Sequence, residues 1–193
     1  MSTLLYLHGF NSSPQSMKAR EMQEYLLQKR PDINFICPQL ATTPAAAWAQ
    51  ISEICEALAV RNDGHFGVAG SSLGGFLATR VAEVYGVRAV VINPAVNPQV
   101  LLQDYLGEQL NPYTDERYLL TAQHMQELSE LRVNEPNCMA RLWLLQQQGD
   151  EVLDYREALE YYRFARVCIQ KGGDHSFIGF NHYCAQIIRF LQL

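Results

Sequence analysis

The chain has 193 residues, 48% of them hydrophobic, which suits one domain spanning 1–193 with a full core better than two smaller units. A net charge of −5, only 18% charged residues and no Lys or Arg run longer than two exclude a surface built to attract nucleic acid or anionic membrane. Five cysteines (Cys37, Cys55, Cys138, Cys168 and Cys184) include no C-x-x-C pair, so they exclude a complete disulfide framework and read as reduced, packed thiols.

The first ten residues carry no basic leader, and the apolar stretch Leu4 to Leu7 is too short for a signal peptide or a spanning helix. A cytoplasmic protein without membrane insertion is therefore expected. The first strand is expected over 3–8, ending in His8-Gly9-Phe10 and the polar turn Asn11-Ser12-Ser13-Pro14. A helix follows over 16–28, with Met17, Met22 and Leu26 at near-helical spacing, then a strand over 33–38 and a helix over 45–59. The next strand, 66–70, runs into Gly70-Ser71-Ser72-Leu73-Gly74 and directly into a helix over 73–84. A fourth strand is expected over 88–93. From 96 to 137 the rhythm breaks: no convincing strand is present, but helical patterns occupy 99–106 and 115–131, which reads as a helical insertion and a candidate lid. The chain closes with a strand over 142–147, a helix over 155–164, a strand over 166–170 and a helix over 177–191. Apolar strands alternating with amphipathic helices predict an α/β fold: a mostly parallel six-stranded sheet flanked by helices.

The chemistry concentrates where strands end. A G-x-S-x-G sequence between a buried-type strand and a helix presents its serine, Ser72, on a strained turn at the carboxyl edge of the sheet. The amide of Leu73 then lies at a helix N-terminus, a natural donor to a developing oxyanion. The H-G-x turn after the first strand offers a second donor, the Phe10 amide, while His8 reads as a structural residue tying that loop down. Acid and base are expected in the order Ser, Asp or Glu, His. Asp150, first after the turn that follows 142–147, and His175, after Gly172-Gly173-Asp174, fit that order. Glu151 and Asp154 compete for the acid role, although Asp154 suits the N-cap of the following helix better. His65, His124 and His182 have no partner pattern, so no metal is expected, and no nucleotide or dinucleotide loop appears, so no cofactor is expected.

The motifs at 6–14, 70–75, 93–96, 144–152 and 172–175 together resemble the bacterial YqiA-type esterase family of the α/β-hydrolase superfamily, over nearly the whole chain. The resemblance implies an α/β-hydrolase fold without the first two strands of larger members, and a serine esterase or thioesterase acting on short-chain aryl esters and fatty acyl-CoA. It maps the nucleophile, acid and base onto Ser72, Asp150 and His175. A small-molecule ester or thioester is then the expected partner. Leu101, Leu102, Leu106, Tyr113, Tyr118 and Met125 of the insertion are expected to cover an acyl chain. Acyl-CoA would need local cations such as Lys18, Arg20, Lys29 or Arg30, which otherwise read as solvated helix charges. A carbon–carbon bond hydrolase or lyase on the same fold, or a non-catalytic ligand-binding protein, is the alternative.

Overall fold

The computed structural model describes residues 2–61 and 65–193. Six strands form one parallel sheet in the order β2-β1-β3-β4-β7-β8: β1 (Thr3–Leu7), β2 (Asn34–Ile36), β3 (Phe66–Ser72), β4 (Ala89–Pro94), β7 (Leu142–Gln147) and β8 (Arg166–Gln170). The fold is that of the α/β hydrolases. The last two strands have the bounds expected from the sequence, and β3 runs two residues past its expected end, so that Ser72 is its last residue.

Alternation along the strands splits the core between the two faces of the sheet. Leu5, Leu7, Val68, Val91 and Leu144 point to one face, where they meet α2 (Pro44–Arg61), α3 (Leu73–Tyr85) and α6 (Tyr155–Tyr161) through Ile51, Cys55, Leu77, Val81 and Ala158. Leu4, Tyr6, Val90, Ile92 and Trp143 point to the other face, beneath α1 (Met17–Lys29) and α7 (Cys184–Leu191) through Met22, Leu26, Ile187 and Ile188. With both faces covered, the central strands have no polar side to show, which is why they read as continuous apolar runs. The flanking strands differ. β2 is only three residues long, and β8 exposes Arg166, Val167 and Ile169 along the sheet edge.

Between β4 and β7 lies the insertion, and here the structure departs from the sequence expectation. It contains α4 (Pro98–Leu101), a 3-10 turn, an antiparallel hairpin of β5 (Gly107–Leu110) and β6 (Arg117–Leu120), and α5 (Ala122–Leu131). Residues 117–120, expected to be helical, pair instead with 107–110. The stretch Tyr118-Leu119-Leu120 suits either a helix or a strand, and the hydrogen-bonding partner across the turn decides between them. The final helix also starts later than expected. Phe177 and Gly179 have positive φ, 63° and 77°, so residues 172–179 form a turn rather than helix.

Candidate active site

Ser72 sits between β3 and α3 with φ 55° and ψ −122°, a backbone conformation that costs on the order of 1–3 kcal/mol for a non-glycine residue. Close packing holds it there. A Cβ on Gly70 would lie 2.1 Å from the carbonyl oxygen of Gly74, and one on Gly74 would lie 2.0 Å from the carbonyl oxygen of Leu7. The helix therefore starts pressed against the ends of β1 and β3, and only glycine fits at both contacts. Ser72 pairs in register with Pro94 of β4, and its carbonyl accepts from the Ala95 amide at 3.1 Å.

Gly9 approaches the same serine, since a Cβ there would be 3.3 Å from Ser72 Cβ and 3.7 Å from Ser72 Oγ. The Phe10 amide is the next donor along that loop, and among the described residues its N–H makes no hydrogen bond. The Leu73 amide is the first of α3, and the first N–H groups of a helix have no acceptor within it. Both amides expected to serve an oxyanion thus belong to backbone touching Ser72. His8 is buried, and its ring accepts from the Leu40 amide through Nε2 at 3.1 Å while Nδ1 lies 3.0 Å from the Gly9 carbonyl oxygen. That pattern requires the proton on Nδ1, and burial lowers the imidazole pKa, which keeps the ring neutral in this tying role.

Asp150 and His175 meet as the sequence order suggests. Nδ1 of His175 lies 3.0 and 2.9 Å from the two carboxylate oxygens of Asp150, whose side chain is wholly buried while the imidazole stays 24% exposed. The Val152 and Leu153 amides both donate to Asp150 Oδ1 at 2.9 Å, which fixes the carboxylate. An ionised carboxylate only accepts, so the contact puts the imidazole proton on Nδ1 and leaves the Nε2 lone pair free. Asp154 caps α6 through the Arg156 amide, and Glu151 accepts from the His175 backbone amide at 3.0 Å, so neither competitor touches the ring. Among the described residues the imidazole's hydrogen bonds run to Asp150 alone, so the structure does not join it to Ser72 Oγ. Such contacts often tighten only around a bound substrate.

What ties the His175 turn to the strand that pairs with Ser72 is a set of residues to which the sequence reading gave no such role. Asn93, one residue before the partner of Ser72, has φ 40° and donates through Nδ2 to the carbonyl oxygens of Asp174 at 2.9 Å and His175 at 3.3 Å. Its Oδ1 accepts from the Gln147 amide, extending the β4–β7 ladder by one side-chain bond. The Gln147 side chain is buried with every hydrogen-bonding position filled: Nε2 donates to Gln170 Oε1 and the Ile178 carbonyl, and Oε1 accepts from the Asp174 and Ile178 amides. Lys18 of α1 adds a bond from Nζ to the Ser176 carbonyl at 2.9 Å, a further tie on the His175 turn. The available signals were small: a polar pair, Gln146-Gln147, ending an apolar strand, and an asparagine before Pro94.

Two kinds of space flank these groups. A cavity of about 280 Å³ lies between Pro94, Ala95, Val96 and Leu101 on one side and Val152 and Leu153 on the other. Two smaller hollows, about 40 and 30 Å³, share Phe10, Leu73 and Leu77 as walls and are closed by Tyr118 in one and by Leu102 and Leu120 in the other. Of the insertion residues expected to cover an acyl chain, Leu106 and Tyr113 are instead turned to solvent, and Met125 is packed into the core. Burial pushes the thiols of Cys37, Cys55, Cys138 and Cys184 up to about 12, so they stay protonated and inert at neutral pH. Among the described residues, no three His, Cys, Asp or Glu side chains group as they would around a metal ion. No described helix is long and apolar enough to cross a membrane. A serine on a strained turn, an imidazole oriented by a carboxylate and two available amides are together suited to nucleophilic attack on a carbonyl carbon.

The family model described as "Uncharacterised protein family (UPF0227)" matches residues 3–192. A UPF0227 protein of Serratia proteamaculans is 24% identical over 191 residues, covering 98% of this chain and 99% of its own. Among solved structures, Est1E from Butyrivibrio proteoclasticus with ferulic acid bound superposes with a TM-score of 0.76 at 13% identity, covering 100% of this chain and 88% of that one. The alpha/beta hydrolase domain-containing protein 10 from mouse gives a TM-score of 0.76 at 17% identity, with 98% and 89% covered.

Proposed function

This chain belongs to the UPF0227 family, and from that premise we propose that it is a serine hydrolase that cleaves carboxylic esters or acyl thioesters through an acyl-enzyme intermediate. The observation that carries the reading is the contact between His175 Nδ1 and the buried, doubly held carboxylate of Asp150, on a turn tied by Asn93 to the strand beside Ser72. Ser72 Oγ attacks the substrate carbonyl as its proton passes to His175 Nε2, and the Phe10 and Leu73 amides receive the charge on the carbonyl oxygen. Collapse expels the alcohol or thiol, which takes the proton back from His175. Water, deprotonated by the same nitrogen, then releases the carboxylic acid and restores Ser72. Asp150 keeps the imidazole in the accepting tautomer throughout. The reaction needs no group beyond these side chains and water. The two hollows beside Phe10 and Leu73 are small, and the one walled by Leu102, Leu120 and Leu128 is mainly apolar, which favours a short acyl group there.

Hydrolysis of p-nitrophenyl acetate and labelling by a fluorophosphonate test the proposal. Ser72→Ala should lose labelling and at least about 10⁴-fold in kcat, and Asp150→Asn should lose about 10³–10⁴-fold while Asp154→Asn loses little. Hydrolysis by Ser72→Ala at the wild-type rate would remove the nucleophile and the proposal with it.

A further inference from the structure

The hairpin of the insertion does more than lie over the site. Gln109 of β5 and Tyr118 of β6 are direct cross-strand partners, so their side chains leave the same face of the hairpin. Both end on one side-chain amide, that of Asn11: Tyr118 donates its hydroxyl to Asn11 Oδ1 at 2.7 Å, and Asn11 Nδ2 donates to Gln109 Oε1 at 3.2 Å. Gln109 is itself steadied by a bond from its Nε2 to the Tyr105 carbonyl at 2.6 Å. Two further contacts run the same way. Asn111 Nδ2 donates to the Ser12 carbonyl at 3.0 Å, and the Tyr105 ring meets Phe10 edge-on with centroids 6.2 Å apart. The insertion thus grips residues 10, 11 and 12: the hairpin holds Asn11 and Ser12, and Tyr105 of the preceding 3-10 turn meets Phe10.

Asn11 has φ 47°, a left-handed conformation that asparagine tolerates better than most residues and that turns the chain sharply just after Phe10. The peptide carrying the Phe10 N–H is therefore one residue away from a bend whose side chain is clamped from above. On the reading that this amide stabilises the oxyanion, its direction matters: a donor must lie about 2.7–3.1 Å from the position of the developing charge. We propose that Tyr118 and Gln109 are positioning residues for the reaction, clamping Asn11 so that the Phe10 N–H is aimed at the oxyanion, and that the insertion is thereby a working part of the oxyanion apparatus. Burial raises the Tyr118 phenol to about 12, so the clamp keeps its donor throughout the pH range of any practical assay.

Removal of an oxyanion donor costs about 100- to 1000-fold, and a displacement near 1 Å about 100-fold, so loosening one arm of a two-armed clamp should cost about tenfold. Tyr118→Phe, which keeps the ring, and Gln109→Ala should each lower kcat about tenfold with KM changed less than twofold, and the double variant should lose about 100-fold. The inhibition constant of a trifluoromethyl ketone, whose hemiketal oxygen occupies the oxyanion position, should rise in parallel with the loss in kcat/KM. A merely structural contact would not produce that parallel. Tyr118 also lines one of the hollows, so Gln109→Ala, which lines none, carries the decision if Tyr118→Phe disturbs binding or folding. Unchanged kcat in Gln109→Ala, or a raised KM with kcat and ketone binding unaltered, overturns the clamp while leaving a Ser72-dependent hydrolase in place. Hydrolysis that persists in Ser72→Ala would instead overturn the reading on which the clamp rests.

Discussion

The turns that carry Ser72 and His175 lie at the same edge of the sheet, yet they are held by opposite means. At Ser72 the restraint is steric: backbone of α3 touches backbone of β1 and β3, and glycines at 70 and 74 leave no room for anything else. The His175 turn shares one such approach at its base, where a Cβ on Gly149 would lie 2.3 Å from the Gly173 carbonyl oxygen, but beyond that point its restraint is polar. Asn93, Gln147, Glu151 and Lys18 reach in from four different parts of the chain and bond to residues 174–178. A sterically held turn is rigid because moving it means collision. A turn held by hydrogen bonds can give by fractions of an ångström, which suits an imidazole that must first face a hydroxyl and later a leaving group. The absence of a Ser72–His175 hydrogen bond among the described residues agrees with that division.

The difference should appear most strongly in Gly74→Ala. A methyl group 2.0 Å from the Leu7 carbonyl oxygen meets backbone, which cannot rotate away, so the helix start or the end of β1 has to shift. We expect a loss of about 4 kcal/mol or more in urea unfolding, the range that single substitutions reach only through such mechanisms, or failure to accumulate folded protein. A variant within 1 kcal/mol of the wild type, with its activity retained, would show that the turn is softer than its geometry implies.

The polar turn should respond in smaller steps. Gln147→Leu fills the same space but leaves the Asp174 and Ile178 amides and the Ile178 carbonyl without their buried partner. An unmet buried group costs about 1–3 kcal/mol and some will find water, so about 3 kcal/mol is expected in total. The kinetic consequence sharpens the comparison: kcat should fall with His175 misplaced, while fluorophosphonate still labels Ser72 slowly because the Ser72 turn is untouched. Equal damage to both turns, seen as complete loss of labelling in folded protein, would mean that they are not independently held.

These two turns were not equally legible beforehand. Ser72, Leu73 and the H-G-x turn could be read directly because steric restraint leaves a local trace, glycines at fixed offsets around the serine. The sheet was legible for a similar reason, since each central strand is a short apolar run bounded by a turn. Asp150 and His175 were readable from chain order alone. Asn93, Gln147 and Lys18 were not, because a hydrogen bond between residues 27 to 158 positions apart has no local pattern. The β5–β6 hairpin was missed for a related reason: pairing across a turn, rather than the propensity of Tyr118-Leu119-Leu120, makes that stretch a strand.

Lys18 offers the finest test of the polar turn, because its contribution should change with pH. Burial lowers its ammonium from the ordinary 10.5 to about 8, while Asp174, Asp150 and Glu21, the acidic groups around it, pull the other way without cancelling the effect. Below pH 8 both the folded and unfolded chains carry the proton, and folding bears the full cost of burying the charge. Between about 8 and 10.5 the folded chain has released the proton while the unfolded chain still holds it, so stability rises with pH in that window. A shift of this size sets a ceiling near 3 kcal/mol, and solvent reaching the amine should reduce the observed rise to about 2 kcal/mol. Buried tyrosines titrate higher and act in the opposite direction, so the informative quantity is the wild type minus Lys18→Met, compared at pH 7.5 and pH 10 in urea. That difference should grow in favour of the wild type as pH rises, since the neutral amine keeps its bond to the Ser176 carbonyl without the cost of the charge. A difference that stays constant across the window would place the Lys18 ammonium in water, and the His175 turn would then rest on Asn93, Gln147 and Glu151.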